Sequence, residues 1–270
     1  MPTTGQLALL IVAVALFAAG AVLSLARLSW DRPGLRIASR SCFGVGIVTA
    51  IALLVWHAAS RGQWLPIVDN FDALIWLATL LAMFTLYVQR HRQLGALDWF
   101  VMPLVILLLV FAGIFGRTEY HEYHSVVADT WAWVHRVTSY GGAVAFAIAA
   151  ASGAMYVVAS RRLRNKRSIG PQFGSLERLE HLTMVSVTLG FALLTVGMVT
   201  GGVRMLAPGS HTPTAKIVLA LIVWLIYAVV LHAPINPSFR GRKVAVLSVA
   251  GFVLMLGTIV AVLLMPGGSS

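Results

Sequence analysis

Long apolar runs constrain this chain more than anything else in it. Eight of them follow one another, at about 5–27, 37–59, 71–89, 97–116, 132–159, 181–203, 214–232 and 243–265. Each approaches the ~20 residues that a helix needs to cross a bilayer. In hydrocarbon every backbone N–H and C=O must find its partner within the chain, so runs of this length fold as helices. Charged residues make up only 11% of the sequence, too few to cover a water-exposed surface. The expected fold is all-α: a polytopic membrane protein, a bundle of about eight transmembrane helices forming a single domain over 1–270, with no room for a large soluble domain.

The loops orient the bundle. Arg27, Arg32, Arg36 and Arg40 lie in or beside the first loop, Arg90 and Arg92 in the third, and Arg161, Arg162, Arg164, Lys166, Arg167 and Arg178 in the fifth. Arg240, Arg242 and Lys243 lie in the seventh. The opposite side holds Arg61, Arg117, Arg136, Arg204 and Lys216, together with Asp69, Asp72, Glu119, Glu122 and Asp129. Basic residues gather in cytoplasmic loops, so both termini are expected on the outer (periplasmic) side of a cytoplasmic (inner) membrane. The formal net charge of +11 is explained by this asymmetry and by contact with lipid head groups, and no nucleic-acid partner is inferred. No Lys or Arg precedes the first run, so it reads as a retained helix rather than a cleaved signal. Cys42 is the single cysteine, which excludes an intrachain disulfide, a CxxC redox pair and a CxxCH haem attachment.

Shorter features refine the picture. The polar stretch 117–129 has the length for a short helix on the outer surface. Ser175 is placed to cap the sixth helix. Gly197 and Gly201 have the small-xxx-small spacing that lets helices approach closely, and general packing is the default reading. Pro266-Gly-Gly-Ser-Ser reads as a disordered tail.

Histidine offers the chemistry. Among the eight, His57 ends the second span and His135 opens the fifth, so both come to the outer level of the bundle. Two imidazoles on different helices can hold haem iron from both axial sides. Trp131 lies four residues before His135, on the same helical face. Arg136 and Arg61 are placed to pair with haem propionates, and Ser139, one turn after His135, to orient a neighbouring group. The competing reading of His57 and His135 is an interfacial histidine beside belt tryptophans. His181 and His232 form a second candidate pair toward the inner face, with helix-end histidines near lipid head groups as the alternative. His121, His124 and His211 read as loop residues or a transient relay, and His91 lies in a basic loop. Asp72, at the start of the third span, either caps that helix through the dipole or serves as a proton or haem-edge partner.

Four stretches resemble the cytochrome c assembly protein family of integral membrane haem-handling proteins, in its compact HemX-like and YpjD-like branch related to CcsA. Asn70-Phe-Asp-Ala-Leu74 is similar to its acidic opening of the third helix, and Trp133-Val-His-Arg-Val-Thr-Ser-Tyr140 to its V-H-x-x-x-S-Y helix start. Leu176-Glu-Arg-Leu-Glu-His181, continuing through Leu193 to Gly201, resembles its sixth helix. Trp224 to His232 and Phe239 to Val244 resemble its seventh helix and the basic loop that follows. The resemblance implies a haem-ligand role for His135 and a transmembrane haem role for His232. His57, in Val-Trp-His-Ala, matches a histidine near the end of the second helix. The region 203–216 lacks the tryptophans and acidic residues of the full-length haem synthetases, and no histidine follows Lys243. The resemblance therefore points to a reduced relative.

The expected function is binding or relay of non-covalent haem b during cytochrome c maturation, with other maturation proteins as partners. The chain itself is not read as an enzyme, because covalent attachment needs a partner that supplies thiols. A membrane regulator contacting an enzyme of haem biosynthesis through the basic 161–180 segment, a haem-independent transporter and a membrane electron carrier are the alternatives.

Overall fold

The computed structural model describes residues 2–27, 33–62, 69–91, 94–116, 126–166, 173–205, 214–232 and 241–264. They form eight helices: α1 (Thr4–Ala26), α2 (Pro33–Ser60), α3 (Asn70–His91), α4 (Leu97–Phe115), α5 (Val126–Arg164), α6 (Leu176–Met205), α7 (Thr214–Leu231) and α8 (Arg242–Leu264). Among the described residues there is no strand. Helices α1 to α6 are long and apolar enough to cross a membrane, and α7 contributes a shorter apolar helix, Ile217–Leu231. The chain is a multi-pass membrane protein.

Local signals set the helix ends. Thr3 and Gln6 form a capping box that opens α1: the Gln6 N–H donates to Thr3 Oγ1, and the Thr3 N–H to Gln6 Oε1. Pro33 opens α2, where its missing N–H costs nothing. Ser175 caps α6 as expected, accepting from the Arg178 N–H at 3.2 Å. Helix α5 differs from expectation, because it begins at Val126 rather than near 132. Its first residues, 126–129, belong to the stretch expected to form a separate surface helix, while 117–125 lie outside the described residues. A hydropathy run does not mark where helical hydrogen bonding begins. At 1.5 Å per residue, α5 is roughly 58 Å long against a hydrocarbon core of about 30 Å.

By its helix contacts the chain divides into two compact units, 1–121 and 122–270. In unit 1, α1 and α3 each pack against both α2 and α4, closing a ring of four helices. In unit 2, α5 and α7 each pack against both α6 and α8.

The two interiors are built differently. Unit 1 buries large side chains, among them Phe17, Phe43, Phe71 and Met102. It also buries ionic groups: Asp98 accepts from Ser24 Oγ and from the Trp99 N–H, with Arg27 3.7 Å away. Unit 2 relies on close backbone approach. A Cβ at Gly142 would stand 3.3 Å from Gly190 O, and one at Gly153 only 2.9 Å from Ala245 O. Phe146 stacks on Tyr227 with ring centroids 3.5 Å apart. In both units large apolar side chains also face outward, such as Ile11, Val48, Leu189 and Val199. Apolar outside and polar inside is the distribution that a bilayer solvent favours.

Candidate functional site

The site in unit 1 forms where α2 ends and α3 begins. Gly62, at φ +67°, takes the left-handed conformation that stops α2. The last turn of α2 satisfies its own freed carbonyl: Ser60 Oγ donates to His57 O at 2.8 Å and Arg61 Nε to the same oxygen at 3.2 Å. Gln6 of α1 donates to Ser60 Oγ at 3.2 Å. These bonds fix the turn that carries His57 and Arg61.

Helix α3 supplies the acids. Asp72 is fully buried, and its oxygens divide between two residues of the α2 end. Oδ1 accepts from His57 Nδ1 at 2.9 Å, and Oδ2 from Arg61 Nη2 at 2.5 Å. Arg61 Nη1 donates to Asp69, which is also buried. The helix ends favour this assembly. Cationic groups sit at the negative end of α2 and carboxylates at the positive end of α3. The His57 ring lies against Phe71, centroids 4.8 Å apart, and the residue is only 2% exposed.

His57, Asp69 and Asp72 bring ligand-type atoms within 4.8 Å of one another, which is metal-site geometry. The Arg61 guanidinium already bridges both carboxylates, however, and supplies the cation that such a set would otherwise need. The arrangement is therefore an ion-pair cluster supporting one imidazole. A carboxylate only accepts here, so Nδ1 of His57 carries the proton and the lone pair of the neutral ring lies on Nε2. Asp72 stays at the positive end of the α3 dipole, as expected, and its carboxylate also accepts from two α2 side chains, while Arg61 donates to both Asp69 and Asp72.

The site in unit 2 is built in the middle of helices. His135 of α5 donates from Nδ1 to Gly197 O of α6 at 2.7 Å, which again places the lone pair of the neutral ring on Nε2. One turn on, Gly201 leaves room for the ring: a Cβ there would stand 2.9 Å from Cε1 and 3.1 Å from Nδ1 of His135. At Gly197 a Cβ would stand 2.9 Å from Ser139 Oγ and 3.3 Å from Thr138 Oγ1. The small-xxx-small pair is thus the seat of a histidine, a role that general packing did not convey. Thr200 Oγ1 donates to the same carbonyl at 3.1 Å. Ser139, expected to orient a neighbour, packs over Gly197. Trp131 is 40% exposed and Arg136 half-buried.

The remaining candidates divide by placement. His181, in α6, is exposed. His232 follows α7, is exposed, and donates from Nδ1 to Ala228 O of its own helix at 2.8 Å. His121, His124, His211 and the side chain of His91 lie outside the described residues, as do the side chain of Lys216 and most of the basic loop before α8.

Comparison with known proteins adds to this geometry. The sequence model of the family described as cytochrome C assembly protein matches residues 64–267. That range includes Asp72 and His135 but begins after His57. A cytochrome c biogenesis protein CcsA of Prochlorococcus marinus strain NATL2A is 42% identical over 98 residues, which cover 35% of this chain and 31% of that protein. Two longer matches carry the same name. One, from Prochlorococcus marinus strain MIT 9301, is 25% identical over 249 residues and 80% of each chain. The other, from Mesostigma viride, is 23% identical over 236 residues and 76% of each chain. No solved structure matches the chain. The family match takes in most of the chain, α3 to α8, and the chain belongs to the cytochrome c assembly protein family.

Proposed function

We propose that this chain binds haem b and holds or relays it during cytochrome c maturation, with His57 in unit 1 and His135 in unit 2 as the candidate iron-binding side chains. The carrying observation is the state of the two rings. Each donates Nδ1–H to a fixed oxygen, Asp72 in one case and Gly197 in the other. Metal-binding histidines are oriented in this way, with the outer partner fixing tautomer and ring plane. The donor set fits haem, which takes neutral imidazole on iron. Haem supplies the iron centre when bound, and it is also the cargo. Trp131 and Arg136 flank His135 on α5 and would contact the edge of the macrocycle.

His181 and His232 stand outside this reading, since both are exposed and His232 already caps its own helix. The distribution of basic residues supports a cytoplasmic membrane location with both termini outside. Covalent attachment would use the thiols of the apocytochrome, and this reading assigns that step to partner maturation proteins.

The test is the absorption spectrum of the purified full chain titrated with haemin in detergent. Wild type should give the Soret band of protein-bound haem. His57→Ala and His135→Ala should each weaken binding by more than the roughly 10–100-fold typical of outer-shell changes. A wild type without the band, or a band that neither substitution alters, would sink the reading.

A further inference from the structure

Unit 1 carries a second polar assembly at the end opposite the His57 site. There α1 ends, α2 begins, α3 ends and α4 begins. Arg40 of α2 donates from Nη2 to Gln89 O of α3 at 3.3 Å. That carbonyl lies in the last turn of α3, where backbone oxygens lack helical partners, so the bond holds the guanidinium against the helix end. Three further arginines, Arg27, Arg36 and Arg90, act on Arg40 electrostatically, against one carboxylate, Asp98. Asp98 is buried and already accepts from Ser24 Oγ and the Trp99 N–H, with Arg27 3.7 Å away. Among the described residues the assembly therefore carries excess positive charge, and Arg36, Arg40 and Arg90 are exposed.

The surface beside these arginines is apolar. On α2, Gly44 and Val48 follow Arg40 at four and eight residues, hence on its face of the helix. Nothing lies within 4 Å of a Cβ at Gly44, and Val48 is 66% exposed. On α3, Tyr87 and Met83 precede Arg90 at three and seven residues, again on one face, and both are exposed. Helices α2 and α3 pack against each other, and both strips run from the arginines toward the middle of a membrane-crossing helix.

We propose that this end of unit 1 binds an anionic phospholipid, with its phosphodiester on Arg40 and Arg90 and its acyl chains along the two strips. A guanidinium is suited to the head group, because its planar fork can present two N–H donors to phosphate oxygens. One donor of Arg40 is spent on Gln89 O, which fixes the group while others remain for the ligand. An acidic soluble protein would meet the same arginines but would leave the apolar strips, which lie within the span, without a role. The proposal does not depend on haem.

The experiment titrates the detergent-purified full chain with dioleoylphosphatidylglycerol or dioleoylphosphatidylcholine and follows the first bound lipid by native mass spectrometry. Wild type should prefer phosphatidylglycerol. Arg40→Gln and Arg90→Gln should each lower that affinity roughly fivefold, and the double variant about 25-fold, as expected for basic groups at a lipid surface. Phosphatidylcholine binding should hardly change. Arg162→Gln with Arg164→Gln removes the same charge from the exposed end of α5 and should leave the first lipid in place. Should Arg40→Gln fail to fold, Arg90→Gln decides, since no α2–α3 hydrogen bond depends on it. Equal losses in the two double variants mean general charge attraction and overturn the site. Competition by inorganic phosphate at millimolar concentration overturns the lipid as its ligand. A wild type without preference for phosphatidylglycerol overturns the proposal and leaves the arginines to an acidic protein.

Discussion

The histidine seats of the two units do the same thing by different physics. In unit 1, His57 is oriented by an ionic cluster at two helix ends. In unit 2, His135 is oriented by a backbone carbonyl and a notch between two glycines. The first solution removes charge from water, which is expensive unless every partner is in place. The second needs only that two helices approach closely where side chains are absent. The difference teaches where each site is vulnerable: unit 1 to the loss of a charge, unit 2 to the gain of an atom.

The sharpest way to break the comparison is to remove the cation of unit 1. Arg61→Leu leaves Asp69 and Asp72 buried without their counter-charge. Breaking a buried pair in this way costs about 3–5 kcal/mol. The Arg61 side chain is 16% exposed, so the lower end, about 3 kcal/mol, is expected. Thermal unfolding in detergent measures it. Arg61→Lys should recover part of the loss, because it restores charge but lacks the fork that spans both carboxylates. A stability unchanged in Arg61→Leu would mean that the cluster is solvated and that His57 is held by packing alone.

The elements of both units were largely legible in the sequence, because hydrocarbon solvent imposes runs of fixed length, and the eight expected spans fall on the eight helices. The seats were legible only in part. His57 and Asp72 were each placed at the outer ends of their helices, but their pairing depends on the α2–α3 turn and the stopping effect of Gly62. A hydropathy pattern carries no information about that turn. The glycine spacing at 197 and 201 was visible as a packing motif. Its partner lies 62 residues away, and nothing local in α6 points to His135. The start of α5 was missed because helical hydrogen bonding begins ahead of the long apolar run that hydropathy marks.

A smaller effect probes the notch of unit 2. Gly201→Val should crowd the imidazole, since even a Cβ would stand 2.9 Å from Cε1 of His135. Helix shifts of this kind cost about 1–3 kcal/mol, and haem affinity should fall roughly 10–100-fold as the ring turns from its seat. Gly202 gives the control in the adjacent position: nothing lies within 4 Å of a Cβ there, so Gly202→Ala should leave the Soret titration unchanged. If Gly201→Val binds haem as wild type does, the glycine notch is packing only, and the likeness between the two seats disappears.

The smallest expected effect asks whether unit 2 contains any polar lock comparable to that of unit 1. Its best candidate is the buried contact between Ser152 of α5 and Thr183 of α6, with hydroxyl oxygens 2.9 Å apart. Each hydroxyl also has a carbonyl within reach on its own helix. Ser152 Oγ lies 2.8 Å from Ile148 O, and Thr183 Oγ1 lies 2.8 Å from Leu179 O. A hydroxyl has one proton, so if one donates across the interface, its local carbonyl loses that bond. The exchange is nearly even, and the coupling should be small. A double-mutant cycle of Ser152→Ala and Thr183→Val, read by unfolding in detergent, should give about 0.6 kcal/mol, the average for interhelical hydrogen bonds in membranes. A coupling above about 1.7 kcal/mol, the upper end of that range, would place a strong polar lock in unit 2. The contrast between a charge-locked unit and a close-packed one would then fail at its simplest point.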